Sequence, residues 1–300
     1  MEDAPLVLVD VLAANGSGTR PTVRDASQPF LYADDLGAVR GDGVFETLLI
    51  RDGRIHNQKR HEQRFLNSVE MLQLPAISLD DWRAATDLAV AELLRRTDGL
   101  AADATLRWVY SRGRESTGQP TGYVLATVAP PLGQVRDSGV SVMLAERGYT
   151  LELGSKAPWV LIGAKTLSYA ANMAALRYAA DQGFDDVIFT SHEGNILEGP
   201  TSTVVIVRDG QLITPTPGAG ILPGTTQAAL FALAQRQGWQ CHEQSLVEQD
   251  LREASSVWLV SSVRLAVRVT AINGVELPVP DEAEERQIQQ LVAEAVAAEG

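Results

Sequence analysis

The sequence of 300 residues holds a single cysteine, Cys241. No internal disulfide can form, which suits a reducing compartment and a cytoplasmic location. Positive charge is also scarce, with 25 Lys and Arg against 38 Asp and Glu, for a net charge of −13. No run rich in Lys or Arg occurs, so the basic stripe that nucleic-acid binders need is missing and no nucleic-acid partner is expected. An anionic small-molecule substrate would have to be met by locally placed arginines working against the overall field. No apolar run approaches the roughly 18 residues of a membrane span, so no membrane partner is expected. The opening "MEDAPLVLVD" is acidic and its apolar run is short, so it does not read as a signal peptide. Internal repeats and low-complexity tracts are absent. No Walker loop is present, because "GILPGTTQ" lacks a lysine in the required frame, and no GxGxxG follows a strand. No metal site is expected either, since His61 has no second His, Cys or acid at ligand spacing.

What the chain does have is the composition of a soluble globular protein, 45% hydrophobic and 21% charged, with length for one large domain or two ordinary ones. Residues 6–12 read as a strand and 14–29 as a loop. Residues 40–56 read as a hairpin around Asp52–Gly53, and 203–214 as a second Asp-Gly hairpin. Apolar residues at helical spacing, Phe65, Leu66, Val69 and Leu72, predict a helix over 59–74, with another over 79–96. Paired strands are expected at 104–113 and 121–130, and further strands at 140–146 and 186–190. Helices are expected over 168–182, at the end of 220–238, and in the last 20 residues, with β structure over 256–277. Hairpins mixed with helices favour an α+β fold over a doubly wound parallel sheet. The Pro- and Gly-rich "PPLGQ" (130–134) marks a linker. The expected division is an N-terminal α/β domain over 1–130, a linker over 131–138 and a C-terminal domain over 139–300.

Lys165 lies in "LIGAKTLSYAANMAAL", at the seam between an apolar run and an Ala-rich helix. A snorkelling surface lysine would read the same. A partly desolvated lysine, however, gains neutral character and can bond covalently to an aldehyde cofactor. In "GILPGTTQAAL" a glycine loop enters a helix at Thr225 and Thr226, which is either an ordinary Thr cap or an anion seat. Glu198 sits in a Gly-flanked turn before a strand, as a solvated carboxylate or a partner for a protonated ring nitrogen. "RHEQR" places Arg60 and Arg64 on one helix face around His61. "WVYSRGR" ends a strand with Arg112 and Arg114, which could grip a carboxylate.

Taken in order, "GDGVFET", "HEQR", "SRG", "GAKTLSY", "ILEGPTSTVVIV", "GILPGTTQ" and "VSSVR" resemble the class IV aminotransferases, the fold type IV pyridoxal-phosphate enzymes. The resemblance spans about residues 28–278. It implies a two-domain α+β fold, a homodimer, and pyridoxal 5'-phosphate as cofactor. By resemblance, Lys165 is the catalytic lysine that holds the cofactor and shuttles a proton, and Glu198 faces the pyridine nitrogen. Arg64, Thr225, Thr226 and Ser262 would hold the phosphate, with Leu222 packed near the ring. Within the family, Phe45 and Thr47 of "GDGVFET" look most like the aminodeoxychorismate lyases, which release 4-aminobenzoate and pyruvate in folate biosynthesis. The alternative is a transaminase acting on D-amino or branched-chain acids. "VSSVRLAVRV" departs from both patterns: Arg264 stands where a small residue is usual, and Arg268 where a proline is. Phe45, Thr47, Arg112 and Arg264 are therefore expected to contact substrate, the two arginines as carboxylate clamps.

Overall fold

The structure is a computed structural model that describes residues 5–12, 21–100, 102–218 and 220–298. Residues 13–20, part of the predicted loop over 14–29, lie outside this description. By internal contacts the chain divides into two units, Met1–Pro130 with Ala164–Tyr169, and Pro131–Gly163 with Ala170–Glu299. Pro130 and Pro131, the two prolines of "PPLGQ", stand on either side of this division. Two details differ from the expected domains. Residues 133–138 of the expected linker form a helix, and Ala164–Tyr169 packs with the first unit.

In the first unit, strands β1 (Leu6–Asp10), β2 (Thr22–Arg24), β3 (Gly43–Arg51), β4 (Arg54–His56), β5 (Ala104–Ser111) and β6 (Thr121–Val128) form one antiparallel sheet, ordered β2-β1-β6-β5-β3-β4. The short edge strand β2 falls in the predicted loop, and Arg24 joins it to Asp10 of β1 by a 2.8 Å ion pair. The β3–β4 turn is the predicted one. Asp52 and Gly53 both have positive φ, 52° and 69°, as a two-residue turn matched to strand twist requires. Helix α1 (Leu36–Arg40) precedes β3, and α2 (Gln58–Met71) and α3 (Leu79–Arg96) follow β4. Val44, Leu48 and Ile50 alternate along β3 and are fully buried. Phe65 of α2, Trp82 of α3 and Trp108 of β5 meet in a cluster with ring centroids 4.8 to 5.6 Å apart.

Glu46 shares the inward face of β3 and is also fully buried. Its carboxylate takes two hydrogen bonds from Arg64, at 2.7 and 2.8 Å, and one from His61 Nδ1 at 2.7 Å. A carboxylate only accepts, so the His61 proton sits on Nδ1. Burial alone would raise the Glu46 carboxyl; the Arg64 charge and the hydrogen bonds hold it far below the ordinary range. These bonds fix the rotation of α2, whose inward face runs His61, Arg64 or Phe65, and Ser68.

β4 pairs only with Leu49–Arg51, which leaves the first half of β3 unpaired on that side. Residues 165–167 cover it. Phe45 N–H donates to Lys165 O at 3.0 Å, and Leu167 N–H donates to Gly43 O at 2.8 Å. The two glycines of "GDG" leave room for this segment. A Cβ on Gly43 would lie 2.6 Å from Tyr110 O and 2.7 Å from Leu167 Cδ1, and one on Gly41 would lie 2.6 Å from Ser168 Oγ.

In the second unit, helices α4 (Gly133–Ser138), α5 (Leu153–Lys156), α6 (Ala170–Asp181), α7 (Thr225–Arg236), α8 (Glu248–Glu253) and α9 (Glu282–Ala297) surround a mixed sheet. Its strands are β7 (Val140–Glu146), β8 (Asp186–Thr190), β9 (Thr203–Arg208), β10 (Gln211–Thr214), β11 (Gln240–Glu243), β12 (Ser256–Ser261) and β13 (Leu265–Ile272), ordered β11-β10-β9-β12-β13-β7-β8, with β14 (Val275–Glu276) against β13. Val142, Ile188, Val204, Ile206, Val257, Leu259, Val267 and Val269 build the core. The acidic C-terminal helix α9 buries Ile288, Leu291, Val292, Ala295 and Val296, an i, i+3, i+4, i+7, i+8 stripe. Arg268 of β13 reaches Glu285 of α9 at 3.0 Å.

Two outcomes test this account of the first unit. In Glu46→Gln, the stability of the unit at pH 7 falls by about 3–5 kcal/mol, because Arg64 is left buried without its counter-charge. Glu46 has a lowered folded-state pKa, so its contribution is full above the ordinary carboxylate range and is lost as pH falls below it. The gap between wild type and variant in urea unfolding, followed by tryptophan fluorescence, therefore narrows from pH 7 to pH 4. A gap independent of pH would refute the assigned charge state. Gly43→Ala costs about 1–3 kcal/mol by overpacking, and hydrogen exchange at the Leu167 amide speeds up. An unchanged exchange rate there would show that the segment does not depend on the Gly43 slot.

Candidate active site

In the first unit the site is built around Lys165. Its backbone N–H donates to Ser68 Oγ of α2 at 3.1 Å, and Val44 and Thr166 form an antiparallel bridge. The half-buried side chain brings Nζ to 4.4 Å from the Phe45 ring centroid and 5.3 Å from that of Tyr169. The two rings meet edge to face at 5.3 Å and 89°. An amine over aromatic faces is held by their quadrupoles in a partly dry setting. Phe45 and Thr47 are half-buried and share the face of β3 opposite to Glu46.

Arg64, with 11% of its side chain exposed, presents its Nε and one terminal nitrogen to Glu46. His61 is fully buried. Burial pushes its ring below the ordinary histidine range, Glu46 pulls the other way, and the cations Arg64 and Lys165 add to the downward shift. The ring is neutral at pH 7. Glu46 is the residue that sequence reasoning missed. Its signal was present: a carboxylate in register with Val44, Leu48 and Ile50 must face the core, and a buried carboxylate needs a cation.

Arg112 is engaged otherwise than expected. It donates to Asp42 at 2.6 and 3.3 Å, and to the carbonyls of Leu72 and Gln73 at 2.8 and 3.2 Å. Its guanidinium ties the "GDG" turn to the end of α2, because those carbonyls leave the helix without partners of their own. Arg114 pairs with Asp34 at 3.1 Å.

In the second unit, Glu198 Oε2 accepts from Leu222 N–H at 3.1 Å, and its backbone carbonyl accepts from Phe189 N–H at 2.9 Å. Glu198 and Leu222 are half-buried. Gly199 allows the tight "EGPTS" turn, since a Cβ there would lie 2.3 Å from Ser202 Oγ. Thr225 and Thr226 are buried in the first turn of α7. The residue before them, Gly224, has no side chain to cap the helix. Thr226 Oγ1 lies 3.5 Å from Ser262 Oγ, which joins the end of β12 to this helix start.

Arg264, expected as a second carboxylate clamp, donates to the buried Asp186 at 2.7 Å. Its charge is matched within the fold, as a buried carboxylate is ordinarily paired with a cation. Both arginines expected as clamps make ion pairs within the fold.

Pyridoxal 5'-phosphate needs an amine for its aldehyde, a carboxylate for its ring nitrogen and donors for its phosphate. The first unit has an amine and a guanidinium, and the second has a carboxylate, two threonine hydroxyls, a serine hydroxyl and an uncapped helix start. The donor set fits the cofactor.

Residues 43–272 match the family described as amino-transferase class IV. The chain is 48% identical over 259 residues to a bifunctional aminodeoxychorismate lyase / D-amino acid transaminase of Mycobacterium tuberculosis, covering 83% of this chain and 88% of the relative. It superposes with a TM-score of 0.91 on the PLP-bound form of a hypothetical aminotransferase from M. tuberculosis, at 41% identity over 99% of this chain and 100% of the other. A fold IV transaminase from Curtobacterium pusillum gives a TM-score of 0.89 at 38% identity, covering 96% of this chain and 99% of that one. The order of the motifs, the fold and these matches agree: the chain belongs to the class IV aminotransferases, a family of pyridoxal 5'-phosphate-dependent enzymes.

Proposed function

We propose that this enzyme converts 4-amino-4-deoxychorismate into 4-aminobenzoate and pyruvate, a step of folate biosynthesis, and also exchanges amino groups between D-amino acids and keto acids. The observation that carries the reading is the placement of the Lys165 amine against Phe45 and Tyr169, on a segment bonded to β3 and α2. The second activity is supported by the 48% identical relative, whose name carries both.

The chain's own residues divide the work. Lys165 is assigned as the catalytic residue: its amine would hold the cofactor aldehyde, and it is the base that would take a proton from the substrate carbon and return one. Its backbone is fixed by Ser68 and Phe45, so Nζ swings from a rigid base. Glu198, with one oxygen held by Leu222 N–H, is the carboxylate that would face the pyridine nitrogen and favour its protonated form. When bound, the pyridoxal ring supplies a sink for the electron pair left on the substrate carbon. Arg64, Thr225, Thr226 and Ser262 would hold the phosphate, with Leu222 on the side of the ring. Glu46 orients Arg64 by occupying one edge of its guanidinium. Phe45 and Thr47 line the substrate side. Arg112 and Arg264 fall outside the substrate set, because Asp42 and Asp186 already match their charges. The lyase reaction balances without a second substrate, since the carbon skeleton divides into an aromatic amine and pyruvate. The reading includes a cytoplasmic homodimer, supported by family membership and the single cysteine.

The deciding experiment incubates the purified enzyme with 4-amino-4-deoxychorismate, following 4-aminobenzoate and pyruvate, and separately with D-alanine plus 2-oxoglutarate. Both reactions are expected to proceed. Transamination without release of 4-aminobenzoate would remove the lyase assignment, and the reverse would remove the transaminase one. Lys165→Ala lowers both rates by at least about 100-fold, the smaller end of general acid–base contributions. Borohydride fixes the cofactor to a peptide containing Lys165 in the wild type and to no peptide in the variant. Label on another lysine would displace Lys165 from its role.

A further inference from the structure

Ser262, Val263 and Arg264 connect β12 to β13, with Ser261 and Leu265 paired across the turn. The residue that closes this three-residue loop, Leu265, has φ +61° and is 5% exposed. Left-handed backbone at the end of such a loop is ordinarily the place of glycine, because a Cβ crowds the following carbonyl. A leucine held there is strained, and strain of this kind persists only where the surroundings over-determine it.

The surroundings do so from α4. Arg136 Nε donates to Arg264 O at 3.0 Å, and a terminal nitrogen of the same guanidinium donates to Val263 O at 2.9 Å. The Arg136 carbonyl in turn accepts from Gln289 Nε2 of α9 at 3.1 Å, so α4 is tied to the C-terminal helix. On the other flank Arg264 is drawn onto Asp186. The Leu265 side chain is sunk in the core. The turn is thus gripped on its carbonyls, its side chain and its exit residue at once. Its first residue is Ser262, whose hydroxyl lies 3.5 Å from that of Thr226 at the start of α7.

We propose that Arg136 is a positioning residue for cofactor binding. By clamping the Val263 and Arg264 carbonyls it keeps the strained turn in the one conformation that sets Ser262 against the α7 N-terminus. It touches neither cofactor nor substrate, and its effect is confined to the phosphate end. The inference rests on the phosphate seat assigned above to Thr225, Thr226 and Ser262. An arginine suits the task because its planar fork spans two adjacent carbonyls, which the point charge of a lysine does only in part.

The test compares two ligands on the full-length apoprotein: pyridoxal 5'-phosphate, and pyridoxal, which lacks the phosphate. Wild type is expected to bind the phosphorylated form much more tightly. In Arg136→Met, which keeps an apolar stem and loses the donors, the dissociation constant for pyridoxal 5'-phosphate rises about tenfold, the worth of a net hydrogen bond or two. Pyridoxal binding stays within about twofold, the scatter expected of a change remote from its contacts. Arg136→Lys, which retains one donor, falls between wild type and Arg136→Met and serves in its place if the methionine variant does not fold. Adding Leu265→Gly to Arg136→Met relieves the strain and recovers part of the lost affinity. Unchanged pyridoxal 5'-phosphate affinity in Arg136→Met overturns the proposal, as does equal weakening of both ligands, which marks a merely structural arginine. A wild type that binds the two ligands equally tightly removes the phosphate seat itself, a separate failure that takes this inference with it.

Discussion

The buried Glu46 carboxylate is the constraint on which the first unit depends. It sits on β3 opposite Trp108, in a position that apolar residues fill on either side. An ionised group there costs several kcal/mol in lost hydration unless it is fully bonded. Arg64 and His61 supply three bonds, both from α2. An apolar pair of the same volume would hold helix to sheet at least as firmly. What the carboxylate adds is direction. Three bonds from two residues on one helix face leave α2 a single rotation about its axis. Ser68, two turns beyond His61, is then aimed at the Lys165 backbone.

The distribution of charge follows from the same economy of cations. In a chain of net charge −13 the arginines near the family motifs are committed to named acids: Arg64 to Glu46, Arg112 to Asp42, Arg264 to Asp186. Each unit carries its own part of the donor chemistry on rigid elements: strand β3 and helix α2 in one, the start of α7 and the end of β12 in the other. Loops contribute where glycine lets backbone pass close, at Gly41, Gly43 and Gly199.

Much of this was legible in the sequence wherever the determinant is local. Asp52–Gly53 and Asp209–Gly210 announced their hairpins, since only such pairs take two positive φ values cheaply. The stripes of α2 and α9 announced their buried faces. Short elements were not legible: β2, β11 and α8 run to six residues or fewer and are stabilised by their neighbours rather than by their own pattern. In the site, Lys165 drew attention as a lone cation at the end of an apolar run, a pattern that a snorkelling lysine shares, and the order of the motifs around it favoured the other reading. The ion pairs of Arg112 and Arg264 were not legible for a different reason. Their partners lie 70 and 78 residues away in the sequence, and nothing near an arginine says which distant acid will take it. Glu46 could have been found by asking which way a strand residue points.

The pairing of residues 165–167 with the open half of β3 has a consequence during synthesis. A ribosome delivers all six strands of the first sheet once Val128 has emerged, yet half of one edge still shows bare N–H and C=O groups to water. Unpaired edges of this kind recruit strands from other chains. The cover arrives only after β7, a strand of the other sheet, has been made. The segment that covers this edge is the one bearing Lys165. Lys165 thus follows all six strands of the first sheet in the chain, its segment passes beside Gly41 and Gly43, and the same few hydrogen bonds that finish the sheet fix the Lys165 backbone.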